Sequence, residues 1–128
     1  MMFRELGMLD DAIANFERAA QSPSRALTCR EMIGLCHLER GEPLVAVEHL
    51  QAALELGAEG RAATNLRYEI GAAYEAAGND ELALQWFEAC AADDGSFREV
   101  GDRIADVAQR LSSDTPGGDG KKSKISYL

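Results

Sequence analysis

Apolar residues recur at intervals of three and four along most of the chain, a spacing that places side chains on one face of an α-helix. Val47, Leu50 and Leu54 form one such stripe. Gly41 stands before it as a helix stop, and Pro43 falls in the first turn of the next helix, where the missing N–H of proline costs nothing. The pattern predicts seven helices, at 1–6, 9–21, 25–40, 43–56, 60–77, 80–93 and 97–111.

The same features return at nearly fixed distances along the chain. Gly7 and Gly41 are 34 positions apart, and Gly78 follows Gly41 after 37. Ala83 likewise follows Ala46 after 37 positions. Side chains this small let two helices approach closely, so the repetition predicts a series of similar helix pairs.

Two segments share one pattern of residues, Ile33-Gly34-x2-His37 with Ala46-x3-Leu50, and Ile70-Gly71-x2-Tyr74 with Ala83-x3-Phe87. They resemble the tetratricopeptide repeat, a helix–turn–helix of 34 residues with the pattern W-x2-L-G-x2-Y followed by A-x3-F. The resemblance implies an all-α fold, a right-handed α-α superhelix of stacked helix pairs, and a function in protein–protein interaction. Arg30 and Arg67 stand where the pattern has Trp.

The composition of the chain changes near Leu111. Residues 1–111 contain ten Arg, no Lys and twenty acids, whereas residues 112–128 contain three Lys and two Asp. A shift of this kind marks a boundary, and the second segment is rich in turn-forming residues. We expect a helical array over 1–111 (truncated repeat 1–24, repeats 25–59 and 60–96, cap helix 97–111) and a disordered tail over 112–128.

The two ends of the predicted array differ. The truncated copy begins mid-helix. This fits either a piece of a longer array or a misplaced start, or else a front end that self-association or a helix of a partner covers. At the other end, Ser96 and Glu99 have the spacing of a capping box, in which each side chain bonds the other residue's N–H. This spacing predicts the start of the cap helix 97–111.

The chain carries a formal net charge of −9. Because such a chain repels phosphate groups and anionic lipid, neither nucleic acid nor membrane is an expected partner. Three cysteines at unremarkable spacing give no disulfide framework, which favours a reducing cytoplasm. The preference for Arg over Lys and the many Ala residues are typical of a GC-rich bacterial genome.

Neither an enzyme nor a metal or cofactor site is predicted. Cys29 and Cys36 lie two helical turns apart and form no Cys-x-x-Cys pair. Cys36, His37 and Cys90 occupy positions of the repeat that are expected to pack. The phosphate-binding and nucleophile-elbow motifs are not found in the sequence.

The resemblance also implies a binding surface, because the first helices of such repeats line a concave groove. Glu31 and Tyr68 stand where chaperone-binding relatives have the Lys of a carboxylate clamp, so a ligand that ends in an acidic peptide is not expected. The groove would instead bind a peptide or helix with apolar anchors and basic flanks. The alternative is that a neighbouring helix covers the apolar positions and the acids only solubilise the protein. The predicted groove residues are Thr28, Glu31, Leu35, Leu38, Glu39, Asn65, Tyr68, Ala72, Glu75 and Ala76.

The tail contains a candidate docking segment. It joins basic and apolar side chains, and it either has no role, docks on another protein, or folds back onto the groove of the same chain. Its residues are Lys121, Lys122, Lys124, Ile125, Tyr127 and Leu128.

Two functions therefore remain open. The first is a cytoplasmic adaptor or scaffold in a bacterial assembly, such as a polarity, motility or secretion system. The second is a self-assembling structural module, a homo-oligomer joined through the uncapped helix face at its N-terminal end.

Overall fold

The computed structural model describes residues 3–113, and these form six α-helices with no strand among them. Each helix packs against the one before it and the one after it, so the helices stack in chain order as a solenoid. The all-α architecture expected from the sequence is confirmed. No helix in the described part of the chain is both long and apolar enough to cross a bilayer. The helices are α1 (Phe3–Ala19), α2 (Ala26–Glu39), α3 (Pro43–Glu55), α4 (Gly60–Ala76), α5 (Asp80–Asp93) and α6 (Val100–Ser113).

Glycines end the first helix of each complete pair. Gly41 and Gly78 both have φ +83°, a left-handed conformation that glycine adopts without steric cost. After α4, the N–H of Asn79 donates to the carbonyl of Tyr74 at 3.0 Å, which closes the helix end. The side chain of Asn79 then accepts a hydrogen bond from the N–H of Leu82 and caps α5. Both predicted stops and the predicted cap are confirmed.

The core lies between the paired helices, where small and large side chains alternate. Ala46 and Leu50 of α3 are fully buried, as is Ala83 in α5. A Cβ atom placed on Gly34 of α2 would lie 2.9 Å from Cγ of Leu50, so α2 and α3 touch at this glycine. The repeated small residues do serve as contact points between helices, as the sequence predicted.

The N-terminal end differs from the prediction. Two helices were expected, at 1–6 and 9–21, but α1 runs unbroken through Gly7. Gly7 does not share the positive φ of Gly41. The difference comes from the next few residues in each case: Pro43 starts a new helix two residues after Gly41, whereas Met8 and its successors continue a helix. The described residues therefore contain six helices rather than seven.

The start of α6 also differs from the prediction. The N–H and hydroxyl groups of Ser96 bond to Oδ1 of Asp94 at 3.0 Å and 2.9 Å, so Ser96 does not cap a helix. Phe97 is buried in the core at 4% exposure, and Arg98 takes φ +47°, which turns the chain before Val100. The predicted capping box and the predicted helix start at 97 were therefore wrong.

The predicted tail begins inside α6. The helix continues to Ser113, two residues beyond the boundary at Leu111 that composition suggested. Residues 114–128, including every residue of the candidate docking segment, lie outside the described residues.

Candidate functional site

The outer side of α2 holds five of the predicted groove residues. Thr28 and Glu39 are exposed, and Glu31 and Leu35 are half-buried. Residues three, four or seven positions apart share one face of a helix, so these four side chains form a single surface. Leu38 is half-buried and packs against the core cluster of α3 and α4, so it belongs partly to the core.

Tyr68, predicted as part of the groove floor, is covered. Its side chain is 3% exposed, and its ring lies near Phe97 at 6.0 Å between centroids. The guanidinium of Arg98 stands 4.1 Å above the ring, and the hydroxyl donates to Glu99 Oε1 at 2.5 Å. Burial, and then this hydrogen bond, raises the pKa of Tyr68. The expectation that Tyr68 lines an open groove was wrong, because the connection from α5 to α6 folds over it.

Glu75, predicted as an acidic wall, is paired with α6. Its carboxylate lies 2.9 Å from Nη2 of Arg103 and 2.7 Å from Nη2 of Arg110. These pairs use the negative charge of Glu75 to hold α6 against α4, so Glu75 is not a free acidic wall. Two further predicted positions of α4 are Ala72, half-buried against the core cluster that includes Tyr68 and Phe87, and Ala76, exposed.

Two carboxyl groups meet between α2 and α4. Nδ2 of Asn65 donates to Oε2 of Glu31 at 2.9 Å and to Oε2 of Glu69 at 3.0 Å. Oε1 of Glu69 is buried and has no hydrogen-bond partner within the described residues. Burial, and then the hydrogen bond and charge of Glu31, raises the pKa of Glu69 to about 8, while Asn65 and Arg98 act in the opposite direction. Glu31 and Glu69 form what we call the carboxyl pair, in which Glu69 keeps its proton at neutral pH.

Sequence reasoning missed Glu69, although a signal for it was present. Glu69 lies four positions after Asn65, which places both on one face of α4. The repeat family implies groove residues at positions 65, 68 and 72 of α4. Glu69 lies between these positions and was therefore not predicted. Its contact with Glu31 crosses from one helix pair to the next.

A second feature next to the predicted groove residues of α2 is a recess between α1 and α2. It has a volume of about 310 Å³ and is lined by Glu5, Met8, Leu9 and Glu39. Met8 is 62% exposed and so presents an apolar side chain to solvent at this recess. The α1–α2 recess thus has the combination of apolar and acidic side chains that was predicted for the groove. It lies between α1 and α2, however, whereas the predicted groove residues lie on α2 and α4.

The histidines and cysteines are engaged in packing. The rings of His37 and His49 stack with centroids 5.1 Å apart, and Nδ1 of His37 lies 2.8 Å from Glu42. Cys36 and Cys90 are buried, as their repeat positions predicted. Within residues 3–113, no group of three or more His, Cys, Asp or Glu side chains is arranged to hold a metal ion.

A family model described as "Tetratricopeptide repeat" matches residues 3–61 and, in a second match, residues 32–97. The two matches overlap and together cover far more than half of the chain. No curated protein matches it.

Proposed function

Because the chain belongs to the tetratricopeptide repeat family, whose repeats generally mediate protein–protein interaction, we propose that it is a non-catalytic adaptor or scaffold. Its ligand is a peptide or helix segment with apolar anchors and basic flanks. The binding surface is smaller than the sequence implied, because the α5–α6 connection covers Tyr68 and two arginines of α6 pair with Glu75. We call the remaining surface the acidic face; it comprises Thr28, Glu31, Leu35, Glu39 and Glu69 and adjoins the α1–α2 recess.

The observation that carries this proposal is the carboxyl pair. Asn65, the side chain that joins Glu31 and Glu69, is a neutral amide and supplies no charge. A lysine or arginine from a ligand would supply it, and charge-assisted hydrogen bonds of this kind are about twice as strong as neutral ones. Glu31 is half-buried and shares a helix face with Thr28 and Leu35, so such a donor would approach the pair from the side of Glu31.

The apolar anchors of the ligand would lie on the other part of the surface. Leu35 is one helical turn from Glu39, and Glu39 borders the α1–α2 recess. Met8 and Leu9 give the recess its apolar lining. A ligand that crosses from the carboxyl pair to the recess thus meets acidic and apolar groups in turn.

Two further properties belong to this proposal. We propose a cytoplasmic protein, since Cys29, Cys36 and Cys90 are free thiols, as a reducing compartment requires. We also propose that it serves in a bacterial assembly, as its Arg and Ala content suggests. Its net charge of −9 argues against nucleic acid or anionic lipid as a partner.

A panel of short synthetic peptides tests the proposal. Each peptide carries two leucines, flanked either by lysines or by glutamates, and binding is followed by fluorescence anisotropy. We expect the lysine-flanked peptides to bind and the glutamate-flanked peptides not to bind. Replacing both Glu31 and Glu39 with Gln should weaken binding about tenfold or more.

The matched control removes the same charge from second helices. Glu55 of α3 and Glu88 of α5 are both exposed, so their joint replacement by Gln changes net charge equally. Binding should change little in this control. An equal loss in both double variants would mean that only net charge matters, and the acidic face would be rejected.

A second candidate function is a self-assembling structural module joined through α1. The exposure of Met8, 62%, is the observation that favours it, because association would bury this side chain. Light scattering at several concentrations distinguishes the two functions. Self-assembly predicts a mass that rises with concentration and no longer rises in Met8→Glu, whereas an adaptor predicts one constant mass.

A further inference from the structure

The chain contains one segment with the chemistry that the acidic face would bind. We propose that residues 121–128 bind the acidic face and the α1–α2 recess of the same molecule, so that a partner protein must displace this segment. The inference rests on the proposed function, because it assigns an internal competitor to the same surface. It makes the surface self-regulated.

Charge is the first argument. All three lysines of the chain lie in this segment, at 121, 122 and 124, whereas residues 1–111 have ten arginines against twenty acids. Several of those arginines already form ion pairs, as Arg40 does with Asp10 and Arg67 does with Asp93. The lysines are thus the cations of this chain that best complement the acidic face.

The apolar side chains give the second argument. Ile125 and Tyr127 come directly after the lysines. The surface has a matching order, since the acidic residues of α2 are followed by the α1–α2 recess with its apolar lining. Glu31 and Glu39 would bind lysine ammonium groups, while Met8 and Leu9 in the recess would contact the apolar anchors. A solvated segment has no need of large apolar side chains, and this arrangement gives them a place to pack.

Chain length permits the contact. α6 ends at Ser113, and eleven further residues lead to Lys124, which extends at most about 36–40 Å. Packed helices lie roughly 8–10 Å apart, so α2, four helices before α6, is about 40 Å away even if all the helices lay in one straight row. A short connection also gives an effective concentration of the order of millimolar, so a weak site is occupied in cis.

Paramagnetic relaxation in the full chain tests where the segment lies. A nitroxide is attached to Ser126→Cys, and the native cysteines do not compete because Cys29, Cys36 and Cys90 are all buried. We expect broadening of the amide signals of Met8, Leu35 and Glu39, and little at Glu88 on the opposite side. No broadening at the first three residues, or the same broadening everywhere, would overturn the proposal.

Two lysine variants show whether charge is responsible. Changing Lys121, Lys122 and Lys124 to Glu should abolish the broadening, while changing the same residues to Arg should preserve it. A sample of spin-labelled and isotope-labelled chains mixed one to one tests a second copy as the source. Broadening that persists at full strength between molecules would place the segment on another chain and contradict binding in cis.

Peptide binding separates failure of this inference from failure of the proposed function. In the Lys→Glu triple variant the internal competitor is lost, so the lysine-flanked peptide should bind at least about threefold more tightly than to the unaltered chain. Equal affinity in both proteins would refute the internal competitor and leave the adaptor function standing. Binding to neither protein would refute the adaptor function.

Discussion

A Cβ atom on Gly71 would stand 2.8 Å from Cδ1 of Phe87, closer than real Cβ contacts come. The ring of Phe87 is fully buried, and Tyr68 lies against it at 5.5 Å between ring centroids, so it has no room to move aside. Gly34 and Leu50 form the same contact one repeat earlier. The glycine thus sets how closely the two helices of each pair approach.

Gly71→Ala should therefore destabilise the fold although alanine is the better helix former. We expect a loss of about 1–3 kcal/mol from overpacking, measured by urea unfolding. Gly7 in α1 is the matched control, because it is also helical and nothing lies within 4 Å of its Cβ position. Gly7→Ala should stabilise by about 0.5–1 kcal/mol. A neutral result for Gly71→Ala would mean that α4 and α5 are not in close contact there.

Much of the fold could be predicted because close helix contacts restrict residue size. Gly34 and Gly71 leave no room for a Cβ atom, and Ala83 is fully buried, so the repeat is visible in the sequence as small residues at a regular spacing. The break expected at Gly7 was wrong, since a glycine ends a helix only where the next residues start another. Gly78 meets that condition and Gly7 does not.

Less of the candidate site could be predicted, because several of its contacts join residues that are far apart in the sequence. The exposure of Glu39 follows from helical periodicity, which local sequence carries. The burial of Tyr68 depends on the path of a different segment, which the left-handed backbone at Arg98 directs over it. The contact between Glu31 and Glu69 depends on how two repeats stack, and no local pattern encodes that.

The helix stop at Gly78 gives a second prediction. Its φ of +83° is costly for any residue with a Cβ, so Gly78→Ala should destabilise by about 1–2 kcal/mol. Gly78→Asn should cost less, because asparagine tolerates this conformation better. Thermal unfolding followed by circular dichroism measures both. Gly101→Ala in α6 is the control, since it is helical and unobstructed, and equal effects at Gly78 and Gly101 would contradict the argument.

The attachment of α6 gives a third prediction. Phe97 lies in the α5–α6 connection, is 4% exposed, and packs in one core cluster with Phe87 of α5 and Val107 of α6. Phe97→Ala should cost about 3–5 kcal/mol and should speed hydrogen exchange in α6 more than in α2. Leu56→Ala is the control, because Leu56 is 53% exposed and its truncation should change stability by no more than about 0.5 kcal/mol. If exchange rises equally in both helices, α6 does not depend on Phe97 in particular.

The carboxyl pair gives the fourth prediction, a stability that depends on pH. In the folded chain the pKa of Glu69 is raised from 4.5 to about 8, so the folded state keeps a proton that the unfolded state releases. Its contribution to stability is complete below pH 4.5 and is lost as the pH rises through about 8. We expect the Tm of the unaltered chain to fall between about pH 6.5 and about pH 8. Glu69→Gln, which is neutral throughout, should lose most of that fall.

This pH window isolates Glu69 from the other shifted groups. The pKa of Glu42 is lowered by its hydrogen bond to His37, so its contribution is lost only at acid pH, below the window. Burial lowers the pKa of His49, which therefore affects stability only as the pH falls through 6.5 and below. Burial raises the pKa of Cys90 from 9.0, so its effect comes above the window. Glu88→Gln, on an exposed part of α5, should retain the full slope, and an equal slope in Glu69→Gln would show that the proton is held elsewhere.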